Sequence, residues 1–588
     1  MDEATRRSLL FGKELPEEKE RTSRRLSELA EGMAGGLEGV RNLQQAGYEP
    51  PDGLEWVNED EQMEEEHEWA IEPTVGTAHE SSANSTKALF LKAAMVLAIA
   101  LVPRLIFLYF ITDTDVLIPT WSNDTWHRWQ IAYLSKEIGL KQDPARLWDL
   151  KGLEYFWGIV HPAISGVLFA VTDSVDIMIL RWLTMIAGAL DIVFLYLIGR
   201  RFWGEAVGVG AAAIAILNPI VIFNDPSGMV EPLSFLFLLA GIYFFPRRSL
   251  LAGFLWGLAA LTRAEAWLMS AGLLFAAAFA KEKANSKIAL AAGWAVPVVL
   301  YMKHLLDVTG NAIYPIYWNF LANAVGKWVY RETLTDYQLA ARPYLVVAFV
   351  FSLCAAAWVF LKRPKGFLLH LLGLGTTAFI TGFIGLTAYL TGYEPWFWLT
   401  RFFVFSYIYV GFLAALAVIA WLPGRVGWRL TTPVTAAGIA LLVIAVQPLW
   451  PSVLYDVLHG YTNQPTRSTL ERYGRILDEE FRGGKVLIPE DNPQLTYAAV
   501  RFGGIGADEL IGQMYSPFFY YEGEDPISDW AKVGPQMWDW FERENVTVLV
   551  ANQGDQRFQR MIQDAPDRFD LIGRLPDSPM EVYAVRLE

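Results

Sequence analysis

The residues of this chain that invite chemistry are few, and apolar sequence surrounds them. Asp124 and His127 fall in Ser122-Asn-Asp-Thr-Trp-His127, and His161 in Gly158-Ile-Val-His-Pro-Ala163. Asp225 lies in Asn224-Asp-Pro226, Glu231 in Met229-Val-Glu-Pro232, Arg263 and Glu265 in Leu261-Thr-Arg-Ala-Glu265, and Arg401 near one end of another apolar run. A charge inside an apolar span costs roughly 2.5–3.5 kcal/mol on insertion scales, so each is a functional candidate by default. A carboxylate takes a proton from an attacking hydroxyl. Arginine in a low-dielectric groove holds a phosphate bidentately and stabilises the charge left on it. Imidazole binds phosphate when protonated and a metal when neutral. Each residue also has a plainer role open to it. Asp124 fits a helix N-cap, Asp225 a turn, and His161 and Glu231 each precede a proline. Arg263 and Glu265 suit each other as an ion pair, and Arg401 can snorkel to headgroups. Asp113 and Asp115 read as solvated loop residues.

The elements that must position these groups are membrane helices. Of 588 residues 53% are apolar and only 19% charged, with 23 Trp, a side chain that collects at membrane–water interfaces. A net charge of −15 without a basic stripe excludes a nucleic-acid partner. The single cysteine, Cys354, excludes an internal disulfide and a cysteine zinc cluster. Apolar runs at 88–110, 176–199, 205–223, 229–245, 250–262, 267–280, 288–306, 344–361, 366–390, 397–421 and 430–449 predict about eleven transmembrane helices. With residue 87 cytoplasmic, every inside loop is basic: Arg200 and Arg201; Arg247 and Arg248; Lys281, Lys283 and Lys287; Lys362, Arg363 and Lys365; Arg425 and Arg429. One long helix over 250–280 would put Lys362 to Lys365 outside, so the run is read as two short segments meeting at Arg263 and Glu265. Neither is long enough to cross alone, so both should be partly buried and line a polar cavity.

Residues 1–86 hold 21 Asp and Glu against 8 Lys and Arg and read as an acidic, mostly disordered cytoplasmic tail without a signal-peptide core. Residues 87–450 form the transmembrane domain, with a long outer loop at 111–175. Residues 451–588 return to soluble composition, outside the membrane by parity. There Val486 to Ile488, Val546 to Val550 and Val582 to Val585 read as strands, and 467–482 and 535–544 as helices, of a small α/β domain. Gly503, Gly504 and Gly506 read as a turn. In this topology Asp124, His127, His161, Asp225, Glu231, Arg263, Glu265 and Arg401 all fall on the outer side and should converge on one cavity. Acids, arginines and histidines at headgroup depth suit a substrate with a phosphate head and a hydrocarbon tail.

The order Asp124-Thr-Trp-His127, His161-Pro, Met229-Val-Glu231-Pro, Leu261-Thr-Arg263-Ala-Glu265 across residues 88–450 resembles the GT-C membrane glycosyltransferases, nearest the protein O-mannosyltransferase and aminoarabinose transferase type. The resemblance implies transfer of a sugar, such as mannose, from a polyprenyl- or dolichyl-phosphate carrier to a glycan, protein or lipid acceptor on the outer face, with inversion. It places Asp124 as base or acceptor-positioning group, and Arg263 and Arg401 on the lipid phosphate. His127, His161, Asp225 and Glu265 fall with the substrate-binding set. The paired acid common in the family's first loop is here Asn123-Asp124, so a second acid would come from Asp225 or Glu231. No cofactor is firmly implied; a divalent cation, Mg or Mn, is optional because lipid phosphate is already a good leaving group. The oligosaccharyltransferase signature Trp-Trp-Asp-Tyr-Gly is absent. Two other classes stay open. A lipid or lipid-linked sugar transporter or flippase also uses broken, charged helices, and a non-catalytic membrane scaffold would use the C-terminal domain to bind partners.

Overall fold

A computed structural model of the chain describes residues 81–111, 123–137, 158–324, 336–391, 404–421, 467–489, 492–521, 525–575 and 578–587. Residues Lys92–Glu588 cluster as one compact unit. Among the described residues five helices are long and apolar enough to cross a membrane: Lys87–Phe110, Met178–Trp203, Ala284–Thr309, Leu345–Lys362 and Phe367–Leu390. A sixth is added if Glu205–Ile216 and Pro219–Ser227, bent by 60°, make one span. Large apolar side chains such as Val102, Val299, Leu300, Val346, Phe351 and Leu361 are exposed on these helices, as lipid-facing surface requires. Mean strand or helix propensity does not decide this architecture; uninterrupted apolar length does.

The helices of this part are α1 (Ser81–Ile106), α2 (Asn123–Glu137), α3 (Val160–Thr172), α4 (Met178–Trp203), α5 (Glu205–Ile216), α6 (Pro219–Asn224), α7 (Glu231–Phe244), α8 (Ser249–Ala260), α9 (Ala264–Ala278), α10 (Ala284–Thr309), α11 (Tyr314–Ala324), α12 (Asp336–Lys362), α13 (Phe367–Thr391) and α14 (Val404–Leu416). The apolar run over 250–280 is broken, as its charge pattern predicts. Thr262 turns its hydroxyl back onto the Ala259 carbonyl at 2.5 Å, and Arg263 is extended (φ −154°, ψ 150°), so α8 stops and α9 starts afresh. Close helix packing is built on small residues. A Cβ on Gly253 or Gly257, one turn apart on α8, would meet the Leu290 carbonyl oxygen at 2.0 Å or the Pro297 ring at 2.4 Å on α10. The outer loop read as 111–175 contains α3, an apolar helix of 13 residues that the span pattern did not separate out. Its run is too short to register as a span, and Pro162 sits in its first turn, where a missing N–H costs nothing. The predicted span 430–449 and the start of 397–421 lie outside the described residues.

Four of the basic loops meet at one end of the bundle; the loop with Arg425 and Arg429 lies outside the described residues. Arg201 donates to the Tyr243 and Phe245 carbonyls at 2.6 and 3.1 Å, Ser286 to the Pro246 carbonyl at 3.3 Å, and Arg363 lies over the Phe279 ring.

The C-terminal part is a mixed five-stranded sheet. Its elements are α15 (Arg467–Glu480), β1 (Lys485–Ile488), α16 (Pro493–Gly503), β2 (Leu510–Gly512), α17 (Trp530–Glu544), β3 (Val546–Asn552), α18 (Gln556–Asp564), β4 (Phe569–Arg574) and β5 (Met580–Val585), in sheet order β2-β1-β3-β5-β4. β1 is parallel to β2 and β3; β5 is antiparallel to β3 and β4. Strand alternation divides two cores. Leu487, Leu549 and Tyr583 face Val533, Met537 and Phe541 of α17. Val486, Ile488, Val548, Val550 and Val582 face α15 and α16, and in the same core lie Trp126, Trp129 and Tyr133 of α2. Gly503 ends α16, and Gly504 follows in the left-handed region (φ 64°), the turn expected of that glycine cluster.

Candidate active site

Two pieces of the first loop are docked onto two turns of the helical bundle. At the start of α2 the buried Thr125 donates to the Ser227 carbonyl at 2.9 Å. The chain passes this contact at Gly228 (φ +76°), where a Cβ would lie 2.5 Å from the Thr125 methyl. At the start of α3, Val160 N–H donates to the Leu261 carbonyl at 3.3 Å. Gly158 (φ +79°) comes so close that a Cβ there would lie 2.5 Å from the Thr262 carbonyl oxygen. Asp124 and His127 are thereby held beside the turn between Asp225 and Glu231, and His161 beside the break at Arg263 and Glu265.

The charged residues sort into three sets. In the first, Arg263 is shared by Glu231 and Glu265. It pairs with Glu231, and its Nε and Nη2 donate to Glu265 at 3.2 and 2.5 Å. With both carboxylates ionised the set carries a net charge of −1, so Glu231 and Glu265 are anchored and the guanidinium is largely neutralised. These three residues line one side of a cavity of about 310 Å³ whose other walls, from α7, α9, α11 and α13, are mainly apolar: Phe235, Leu268, Met269, Phe320, Phe379, Phe383 and Leu386. Asp124, His127, His161 and Asp225 do not line it.

The second set is His127, Arg128 and His161, all buried. Burial, followed by the Arg128 charge, lowers His127 to about 3 against the opposing contact with Gln130, so the ring is neutral near pH 7. The Arg128 charge also reaches His161, whose two ring nitrogens have no hydrogen-bond partner among the described residues. The third set is Arg104, Asp225 and Asp191, all buried. Arg104 of α1, fully buried, donates Nε to Asp225 Oδ2 at 2.7 Å and Nη1 to the Ala100 carbonyl at 2.6 Å. Asp191 of α4 is an electrostatic neighbour of both. A Cβ on Gly188 would fall 2.1 Å from the Asp225 carboxyl carbon, so this glycine makes the room the carboxylate occupies.

Asp124 is buried in the first turn of α2, beside the Thr125 anchor. Arg401, Asp113 and Asp115 lie outside the described residues. Sequence reasoning missed Arg104, Arg128, Arg181 and Asp191. Arg104 stands inside the run 88–110, and Arg181, whose Nε donates to the Pro226 carbonyl at 2.8 Å, and Asp191 both stand inside the run 176–199; the same cost rule that singled out Asp225 applies to all three. Among the described residues no three His, Cys, Asp or Glu side chains gather with metal-ligand spacing.

No protein-family model and no curated protein matches the chain. Among solved structures it is similar to the oligosaccharyltransferase of Archaeoglobus fulgidus in the apo form, at 12% identity over 80% of this chain and 71% of that one, TM-score 0.48. The oligosaccharyltransferase AglB of the same organism, in complex with an inhibitory peptide and a dolichol-phosphate, is similar at 14% identity over 80% and 70%, TM-score 0.47. ArnT of Cupriavidus metallidurans bound to undecaprenyl phosphate is similar at 14% identity over 86% and 98%, TM-score 0.45.

Proposed function

We propose that this chain is a membrane glycosyltransferase of the GT-C kind, which moves a sugar, a hexose such as mannose, from a polyprenyl-phosphate carrier to an acceptor hydroxyl on the outer face. The observation that carries the reading is the meeting of an apolar cavity with an anchored acidic set, next to a buried carboxylate and an arginine–histidine set held on the same turns. The cavity suits the first isoprene units of a lipid tail. In this reading the N-terminus is cytoplasmic, about eleven spans cross the membrane, and the site and the C-terminal α/β domain of residues 451–588 are extracytoplasmic.

Asp124 takes the proton of the acceptor as its heteroatom attacks the anomeric carbon. The bond from that carbon to the phosphate oxygen breaks, its electron pair leaves on the lipid phosphate, and the configuration inverts. Arg401 and Arg263 hold the phosphate charge; Arg128, whose field reaches His127 and His161, shares that work, since Arg263 is already offset by two carboxylates. Glu231 and Glu265, fixed by Arg263, are placed to accept hydrogen bonds from sugar hydroxyls, with Glu231 the second acid. A divalent cation, Mg or Mn, would have to be completed by substrate oxygens, and no step here runs through one. The test is incubation of the detergent-purified chain with radiolabelled polyprenyl-phosphate hexoses, wild type beside Asp124→Asn. Release of sugar, by transfer or slow hydrolysis, in wild type and its loss by on the order of 10²-fold or more in the variant is expected. Full activity in Asp124→Asn would remove the base. Silence across donors that still bind would favour a flippase or scaffold.

A further inference from the structure

The C-terminal domain and the first-loop helix share one hydrophobic core, and the contact is concentrated on α16. Tyr497, fully buried, lies against the Trp126 ring at 4.9 Å and edge-on to Trp129 at 5.0 Å; Trp129 in turn stacks on Tyr133 at 5.1 Å. Trp129 donates its indole N–H to the Val175 carbonyl at 2.6 Å. The neighbouring Thr496 accepts from the Gln130 amide at 3.4 Å, and Gln130 follows His127 by three residues, about one turn of α2. Gln130 and Thr496 are both fully buried. The Thr125 anchor fixes the first turn of α2, while Tyr497 and Thr496 grip the end of that turn and the next, at Trp126, Trp129 and Gln130.

We propose that Tyr497 and Thr496 are positioning residues: through Trp126, Trp129 and Gln130 the C-terminal domain sets where Asp124 and His127 stand. The domain is then a working part of the site and not a separate partner-binding module. The catalytic half of this proposal rests on the transferase reading above; the mechanical half does not. Misplacing a reacting group by about 1 Å costs on the order of 10²-fold in rate. Tyr497→Ala in the full chain should therefore lower kcat by roughly 10–100-fold with the KM for donor little changed. Tyr497→Phe, which keeps the ring, should retain activity, and Thr496→Val, which keeps the shape, should fall between. The same variants are followed by hydrogen–deuterium exchange. Tyr497→Ala should speed exchange of peptides from 123–137 while those from 284–309 and 367–390 stay as in wild type. Unchanged exchange over 123–137 overturns the clamp whatever the enzyme does. Faster exchange with unaltered kcat overturns the positioning role. If wild type transfers no sugar from any polyprenyl donor, the transferase reading fails, and the exchange data still decide whether α16 holds α2.

Discussion

At Arg104 the guanidinium gives one nitrogen to Asp225 and another to a carbonyl of its own helix, and neither charged group reaches solvent. Taking away one member of such a pair leaves a buried charge uncompensated, at a cost of about 3–5 kcal/mol. Arg104→Met should therefore lower the thermal unfolding midpoint in detergent steeply. Adding Asp225→Leu to it should restore part of the loss, because it removes one of the two carboxylates, Asp225 and Asp191, that Arg104 offsets. Equal destabilisation of the single and double variants would show that the pairing is not what matters there. The sequence marked Asp225 as exceptional because a charge in an apolar run is costly. It could not show that the answering charge stands 121 positions earlier. Nothing local to Asn224-Asp-Pro226 encodes that partner. For Arg263 and Glu265, two positions apart, the pairing was legible; the third member, Glu231, was not.

Elements tell the same story through backbone contacts. The break between α8 and α9 is written locally, in a threonine that bonds back and a charge pair that refuses lipid, and the sequence reading found it. The docking of the first loop onto that break is not, because it depends on Gly158 standing against a carbonyl a hundred residues later. Gly158→Ala would drive a methyl into the Thr262 and Leu261 carbonyls at a φ of +79°, with strain of about 1–3 kcal/mol. We expect a lower melting temperature and faster amide exchange over 158–172. Gly272, whose Cβ position on α9 is open, is the control: Gly272→Ala should be neutral or slightly stabilising. If the two alanines behaved alike, the close approach at Gly158 would carry no weight. The same distinction explains α3, a 13-residue helix too short to announce a span but apolar enough to bury His161 against its neighbours.

Across the whole molecule, composition and apolar run length made the long apolar helices readable, whereas the core joining α2 to the C-terminal sheet was invisible because its two halves share no periodicity. That sheet has its own response to acid. Burial works to raise Glu581, but the Tyr583 hydroxyl, the Gln553 amide and the Arg574 guanidinium outweigh it and hold the carboxyl below its ordinary value of 4.5. The native state then binds fewer protons than the unfolded chain as pH drops toward that value. The stability Glu581 contributes is present above it and lost as pH falls through the lowered native value. Glu581→Gln should flatten the acid limb of exchange protection over β3 and β5 between about pH 6 and pH 3; an unaltered slope would assign the acid sensitivity elsewhere. The shared core also has a consequence during synthesis. Gln130 and Thr496 are 366 residues apart, so at roughly 5–20 residues per second the ribosome delivers the second about 20–70 s after the first. Throughout that interval α2 has its aromatic face uncovered and no α16 to cover it. The site is thus completed last, after the spans between are inserted, and a chain stalled before residue 496 carries Asp124 and His127 on a helix held by Thr125 and Trp129 but without its α16 support.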